Sequence, residues 1–385
     1  MTIANLDMEA LQKKIIEAYQ ADSHLLEKFR EYARRLKDNV RPLKAYSVNA
    51  VSFVSADGGD NRIMFDPALI ELVRVVDSRG QEYVLDVVAS SSTLDELEKR
   101  IQPGPQCIEP LRRLCSDLGL KLGELSYLLK NMGQGGNSTS ALRAYRDIVE
   151  WAVLYEMVCN PHLQWGGDTI LVRDGLLRTK TFRRDIFPKI REKIKAGIEV
   201  HARRNVTVSL VGVAKQSAVL SKLAVALELE GVFHRKYPCY VEVPLDIERD
   251  CYNYDRTWLL NYDTAETEEE RARFQSMGCL HLVKFGDKPG DPVWPVDIAD
   301  WQRDQAPKIL GQLIYDAQYG FPIPDYPMCI QKAHDRSRIG HIEIEILQDM
   351  VFKGLTQNLN ADEYNRLLRF RYLSQDLKKW RYMEG

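Results

Sequence analysis

Two aspartates each close an apolar run and open a glycine turn: Asp57 in VSFVSADGG and Asp174 in TILVRDG. Short apolar runs bounded by turn residues read as buried strands. A side chain at the end of such a strand projects above the sheet, and the small residues beside it leave room for a ligand. Two carboxylates placed this way can share divalent cations, because hard cations prefer oxygen ligands. A pair of ions about 3.5–4 Å apart would then stabilise the attacking and leaving oxygens of a phosphodiester displacement. Asp-Gly is also a common turn dipeptide, so a plain turn is the competing reading for each aspartate.

Further groups of the same chemical kind lie along the chain. In SALRAYRDIVEWAVLYEMV (140–158), Arg143, Arg146, Asp147 and Glu150 recur at three- and four-residue steps and form the polar stripe of a largely apolar helix. Glu156 lies about 120° away around the wheel, at 3.6 residues per turn. A carboxylate on a buried helix is costly unless paired or bound to metal. Glu150 is therefore either a metal ligand or the i,i+4 partner of Arg146. Lys215 follows the apolar strand NVTVSLVGVA and precedes a helix starting near Ser217. A cation there suits a phosphate oxygen, and an exposed surface lysine is the alternative. The stretch YPMCIQKAHDRSRIGHIE (326–343) sets His334 among Lys332, Arg336 and Arg338. Histidine can ligate metal or transfer protons, and the cations offer phosphate contacts. A solvated charged helix is the other reading.

These groups need elements to hold them. Residues 7–38 carry apolar positions at helical spacing, among them Leu11, Ile15, Phe29 and Leu36, and predict a long amphipathic helix that either docks a partner or packs on the core. From Tyr46 the pattern turns to strands. AYSVNAVSFVSADGG is followed by ALIELVRVVDSRGQEYVLDVVASSS, with a polar turn at S-R-G. TLDELEKRIQ reads as a short capped helix, the segment 103–129 as further helix, and MGQGGNSTS as a loop. Strands follow at 168–174 and 205–214, a glycine-closed helix at 217–231, two strands within 279–299, and helices from Ile330 and from Ala361. Interleaved strands and helices define an α/β class with a mixed sheet.

Composition bounds what such a chain does. With 45% hydrophobic residues among 385, it can bury one large core or two smaller ones. The formal net charge is −2, so any nucleic-acid site must be a local basic groove on a balanced surface. Seven cysteines, scattered and without a C-x-x-C pair, suit reduced thiols in a cytoplasm. The start MTIANLDMEALQKK is too polar for a signal peptide, and no run of about 18 apolar residues predicts a membrane span. A soluble, cytoplasmic protein is expected. No phosphate-binding G-x-x-x-x-G-K-[ST] loop occurs, which excludes an ATP motor of that class.

Taken in order, four segments resemble motifs of the NurA nuclease family. SADGG resembles a first motif, a strand ending in Ala-x-Asp-Gly-Ser, and LVRDGLL a second, a strand running into Asp-Gly-Ser-Leu. LVGVAKQS is similar to a following strand that ends in Lys, and YPMCIQKAH to a C-terminal Tyr-Pro and Ala-His signature. The resemblance spans about residues 46–345. It implies an RNase H-like mixed sheet flanked by helices, with an N-terminal helical arm over 1–45, a nuclease domain over 46–345 and a C-terminal helical tail over 346–385. It also implies Mn²⁺- or Mg²⁺-dependent cleavage of single- and double-stranded DNA by a homodimer stacked on a hexameric HerA-type ATPase.

Carried across, the resemblance makes Asp57 and Asp174 metal ligands and Glu150 the helix carboxylate, since RDIVE resembles an Arg-then-Glu helix; Glu156 competes for that role. Lys215, Tyr326 and His334 would complete the site or meet the scissile phosphate, with Lys332, Arg336 and Arg338 as further DNA contacts. Gly59 and Leu176 stand where serine is usual; both changes keep the carboxylates and remove hydroxyls. DNA end processing in repair and anti-phage defence are both compatible roles. Two other readings remain: a catalytically inactive dimeric platform that guides DNA for a HerA motor, and an unrelated α/β enzyme whose Asp-Gly turns coincide by chance.

Overall fold

The apolar runs that end in Asp57 and Asp174 form neighbouring strands of one mixed sheet. The computed structural model describes residues 11–14, 16–17, 23–46, 51–65, 68–89, 91–133, 138–183, 185–253, 276–338, 340–357, 359–360 and 362–366. Its strands are β1 (Arg41–Pro42), β2 (Ser52–Phe65), β3 (Ala68–Asp77), β4 (Glu82–Ala89), β5 (Thr169–Asp174), β6 (Val208–Val213), β7 (Cys239–Glu242), β8 (Gly278–Lys284) and β9 (Val293–Ala299). They lie in the order β1-β7-β8-β9-β6-β5-β2-β3-β4. β2, β3 and β4 form an antiparallel meander. β5 runs parallel to β2, and β6 parallel to β5. β9, β8, β7 and β1 extend the sheet in antiparallel pairings beyond β6.

The longer helices among the described residues are α1 (Ser23–Lys37), α2 (Glu109–Leu118), α3 (Ser138–Cys159), α4 (Phe187–Arg203), α5 (Ala218–Leu229), α6 (Leu245–Asn253), α7 (Ala306–Ala317), α8 (Met328–Ser337) and α9 (His341–Thr356). Strand alternation sends successive side chains to opposite faces. In β5, Leu171 packs into a core with Ile148, Trp151 and Tyr155 of α3 and Ile190 and Ile194 of α4. Ile170 and Val172 face the other way, into a core with Ile309 and Leu313 of α7 and Ile330 of α8. Because β5 is buried on both faces, its sequence is a continuous apolar run up to Arg173. A third core joins α1 and α5 through Ala33, Leu36, Val219 and Leu223.

Several expected elements differ in extent. α1 packs on the body through Ala33 and Leu36, and Lys28, Arg30 and Arg35 pair with Asp250, Glu230 and Asp246. Residues 11–14 and 16–17 are helical too, whereas 7–10, 15 and 18–22 of the expected 7–38 helix lie outside the described residues. The helix expected over 103–129 is broken: α2 stops at Gly119, left-handed at φ 67°, and a short helix, Leu122–Leu125, follows. The capped helix at Thr93 is present, with reciprocal Thr93–Glu96 hydrogen bonds. α4, β7, α6 and α7 were not anticipated; each is short or amphipathic and gains its definition from packing on the sheet. Residues 362–366 are helical, while 361 and 367–385 lie outside the described residues.

Candidate metal centre

β2 and β5 part company at the site. Their last registered pair is Ala56 with Arg173. Beyond it β2 continues against β3, with Asp57 opposite Val76. β5 ends at Asp174, and the chain turns away at Gly175 with φ +107°. The next residue of each strand is thus a carboxylate at the carboxyl end of a parallel pair, where open α/β sheets form ligand crevices.

α8 crosses β2 and supplies the rest. His334 Nδ1 lies 2.8 Å from Asp57 Oδ2, and the buried Ser337 hydroxyl donates to the same oxygen at 3.3 Å. Tyr326, fully buried and 4.8 Å from the Trp294 ring, shares its hydroxyl proton between Asp174 Oδ1 at 3.2 Å and the Val213 carbonyl at 3.3 Å. Lys215 Nζ stands 3.9 Å from Asp174 Oδ2 while its side chain is exposed. One ligand atom from each of Asp57, Asp174 and His334 lies within 4.8 Å of the others.

Glu150 approaches from the opposite face of the sheet. It lines a cavity with Val54, Ala56, Leu154, Arg173 and Asp174. A Cβ on Gly58 would stand 2.5 Å from Glu150 Oε1, so the glycine is what lets this carboxylate lie against β2 beside Asp57. Glu150 falls outside the 4.8 Å group of Asp57, Asp174 and His334. Arg146 lies 3.6 Å from it, one helical turn back. Glu156 is taken up by Arg113 and Asn160, which leaves Glu150 as the α3 glutamate that reaches the crevice.

The electrostatics are those of acids crowded together. Burial, then Asp147 and Asp57, pushes the Glu150 carboxyl up to about 8. Burial and the Asp57 charge raise Asp174, against the opposing pull of Lys215 and the Tyr326 hydroxyl. The hydrogen bond to Asp57 raises His334. Burial and the Asp174 charge push the Tyr326 phenol well up, so it stays a proton donor to that carboxylate. Carboxylates that resist ionising together are relieved by a cation; the two carboxylates suit Mn²⁺ or Mg²⁺, and the imidazole nitrogen beside them favours a transition-metal ion such as Mn²⁺.

The remaining sequence candidates sort by position. Lys332 and Arg338 are exposed on and just after α8. Arg336 also lies on α8, but its guanidinium donates to the Ser78 carbonyl in the β3–β4 turn. The sequence reading placed Asp147 on the polar stripe of α3 without a role, and passed over Arg173, Asp297 and Ser337. Asp147 accepts from Arg173 at 3.0 Å and from the hydroxyls of Thr179 and Thr181. Arg173 in turn lies 4.6 Å over the Trp151 ring. Asp297, fully buried in β9, accepts from the Leu177 N–H and from two Arg178 nitrogens and so anchors the chain just after Asp174. Gly212 makes way for that crossing, since a Cβ there would stand 2.6 Å from the Gly175 carbonyl oxygen. The available signal was a charge inside an apolar strand, Arg173 in TILVRD and Asp297 in VWPVDIA. Ser337 left no signal at all.

The fold and site together define a mixed α/β protein with a carboxylate-histidine crevice at the end of a parallel strand pair. No family model matches the chain, and no curated protein sequence matches it. Among solved structures it is similar to the NurA nuclease from Sulfolobus solfataricus, at 12% identity and a TM-score of 0.42 over 91% of this chain and 98% of that one. It is also similar to a NurA bound to dAMP and manganese, at 12% identity and a TM-score of 0.43 over 93% and 99%. A further NurA structure matches at 14% identity and a TM-score of 0.41 over 91% and 98%.

Proposed function

We propose that this chain is a divalent-metal-dependent DNA nuclease with an RNase H-like core. The observation that carries the reading is the convergence of Asp57, Asp174 and His334, distant in sequence, to within 4.8 Å in one crevice. The strand arrangement supports it: an antiparallel meander β4-β3-β2 continued by parallel β5 and β6, with Asp57 and Asp174 each the residue just past the last registered pair of β2 with β5. When bound, Mn²⁺ or Mg²⁺ would polarise the scissile phosphate and activate a water. Asp57 and Asp174 are the anionic ligands, with His334 as the nitrogen donor and Glu150 closing the acid set across Gly58. Tyr326 orients Asp174 through its hydroxyl. Lys215 presents its ammonium to a phosphate oxygen, and Lys332, Arg336 and Arg338 line the approach as charge-assisted contacts.

By the motif resemblance, the nuclease works as a homodimer beside a HerA-type hexameric ATPase, in DNA end processing or defence against phage. Among the described residues no helix is long and apolar enough to cross a membrane. The decisive experiment is cleavage of end-labelled linear DNA with and without Mn²⁺ or Mg²⁺, comparing the native chain with D57N. Metal-dependent cleavage that D57N abolishes is expected. Cleavage unchanged in D57N would remove the proposed chemistry. Light scattering tests the dimer, and co-purification at low salt with a HerA-like ATPase tests the partner; failure to co-purify counts against that complex.

A further inference from the structure

Asp147 of α3 gathers the chain on both sides of Asp174. Its Oδ1 accepts from Nη2 of Arg173, the residue before Asp174, at 3.0 Å. Its Oδ2 accepts from the Thr179 hydroxyl at 2.7 Å and from the Thr181 hydroxyl, both in the segment that follows Asp174. Arg173, held this way, donates through Nη1 to the Leu176 carbonyl at 2.8 Å and so spans the turn at Gly175. Its guanidinium also rests over the fully buried Trp151 ring of α3. Little water reaches the ion pair, whose side chains are 13% and 25% exposed, so its charge-assisted hydrogen bond is a strong one.

The pairing of β5 with β2 stops at Arg173, while its pairing with β6 runs on through Asp174. The turn after Asp174 is held from β6 by the Val213 carbonyl and from β9 by Asp297. Neither strand contributes a candidate ligand to the crevice. α3 does: Glu150 stands at i,i+3 from Asp147 and lines one cavity with Arg173 and Asp174. We infer that Asp147 is a positioning residue that ties the Asp174 turn to α3 and thereby sets where Asp174 stands relative to Glu150. This rests on the metal-dependent reading above. Asp147 itself lies outside the group formed by Asp57, Asp174 and His334, and the role needs no contact with metal or substrate.

The test reads Mn²⁺ affinity, from the paramagnetic resonance of free Mn²⁺, and amide exchange over residues 175–181 in the metal-free protein. D147N changes charge as well as geometry, and losing a nearby negative charge weakens a cation site by itself. T179V/T181V removes two hydroxyls and no charge, so it isolates geometry. Partners around metal ligands tune affinity about 10- to 100-fold, and both variants are expected to weaken Mn²⁺ binding by about tenfold. T179S/T181S, which keeps the hydroxyls, is expected to bind within about threefold of the native chain on the same scale. Exchange over 175–181 should quicken about fivefold in T179V/T181V, the effect of one typical hydrogen bond. Native affinity in a folded T179V/T181V overturns the inference whatever D147N does, since charge alone would then explain D147N. If T179V/T181V does not fold, T181V decides, because it leaves the Thr181 N–H bond to Thr179 intact, and native affinity there overturns the inference. Should the native chain bind no Mn²⁺ that D57N abolishes, the metal reading fails and this inference with it; Mn²⁺ binding that T179V/T181V leaves unchanged sinks the inference alone.

Discussion

Gly58→Ala separates function from stability. The new Cβ would stand 2.5 Å from Glu150 Oε1, 2.9 Å from its Cγ and 3.1 Å from its Cδ. Ordinary contact begins near 3.4 Å, so the carboxylate must retreat by about 0.9 Å or swing to another rotamer. Only this flexible side chain has to move. Gly58 sits within β2, where alanine is preferred over glycine by roughly 0.5–1 kcal/mol. Global stability should therefore stay level or rise slightly. A misplacement of about 1 Å in a catalytic group can cost about 10²-fold in rate, near 2.7 kcal/mol in the barrier. We expect single-turnover cleavage of end-labelled DNA to slow by about that factor at saturating Mn²⁺, with an unchanged urea midpoint. Cleavage within threefold of the native rate, in a folded protein, would show that the Glu150 position is irrelevant to the chemistry.

Tyr326→Phe keeps the ring on Trp294 but deletes the hydroxyl that Asp174 and the Val213 carbonyl share; Mn²⁺ affinity should fall about tenfold while stability drops by about 1 kcal/mol, and a native Mn²⁺ titration would refute the orienting role. Asp297→Ala strips the buried Arg178 of its main counter-charge, with side chains 6% and 0% exposed, so denaturant unfolding should register a loss of about 3–5 kcal/mol; a loss below about 1 kcal/mol would show the pair to be dispensable. His334 titrates above its ordinary 6.5 in the metal-free protein because of the Asp57 hydrogen bond. A raised folded-state value contributes stability below 6.5 that fades as pH rises through the folded midpoint, so the metal-free protein should lose melting temperature across that window. In D57N the His334 midpoint, followed by NMR, should fall; a midpoint unmoved by D57N rules out the Asp57 contact as its cause.

Much of the fold could be read from local pattern. The period-two and continuous apolar runs of β2 to β6 reflect burial on one or both sheet faces, a local consequence of strand geometry. α3 was equally plain, since its apolar positions wrap most of its surface. α4 and α6 were missed because charged residues break up their apolar stripes, and α7, buried along most of its length, because its place is set by the sheet it covers. The helix over 103–129 failed at a single residue, Gly119, whose left-handed backbone ends α2.

At the site, residue type and position after an apolar run marked Asp57 and Asp174 as candidates against the competing reading of a plain turn; Asp174 does end its strand, whereas the glycine turn expected after Asp57 is absent and β2 runs on through Gly58 and Gly59 to Phe65. The choice between Glu150 and Glu156 lay with tertiary structure. Both sit on α3, and only packing shows that Arg113 and Asn160 occupy one while Gly58 admits the other. Tyr326 and His334 were visible as residue types in a basic segment, but their hydrogen bonds to Asp174 and Asp57 depend on where α8 crosses β2. Sequence specifies which groups are carried on which strand or helix, since periodicity is local. Which of them meet is set by the register of β2 with β5 and by the angle of α8 over the sheet, and both arise from core packing among residues more than a hundred positions apart.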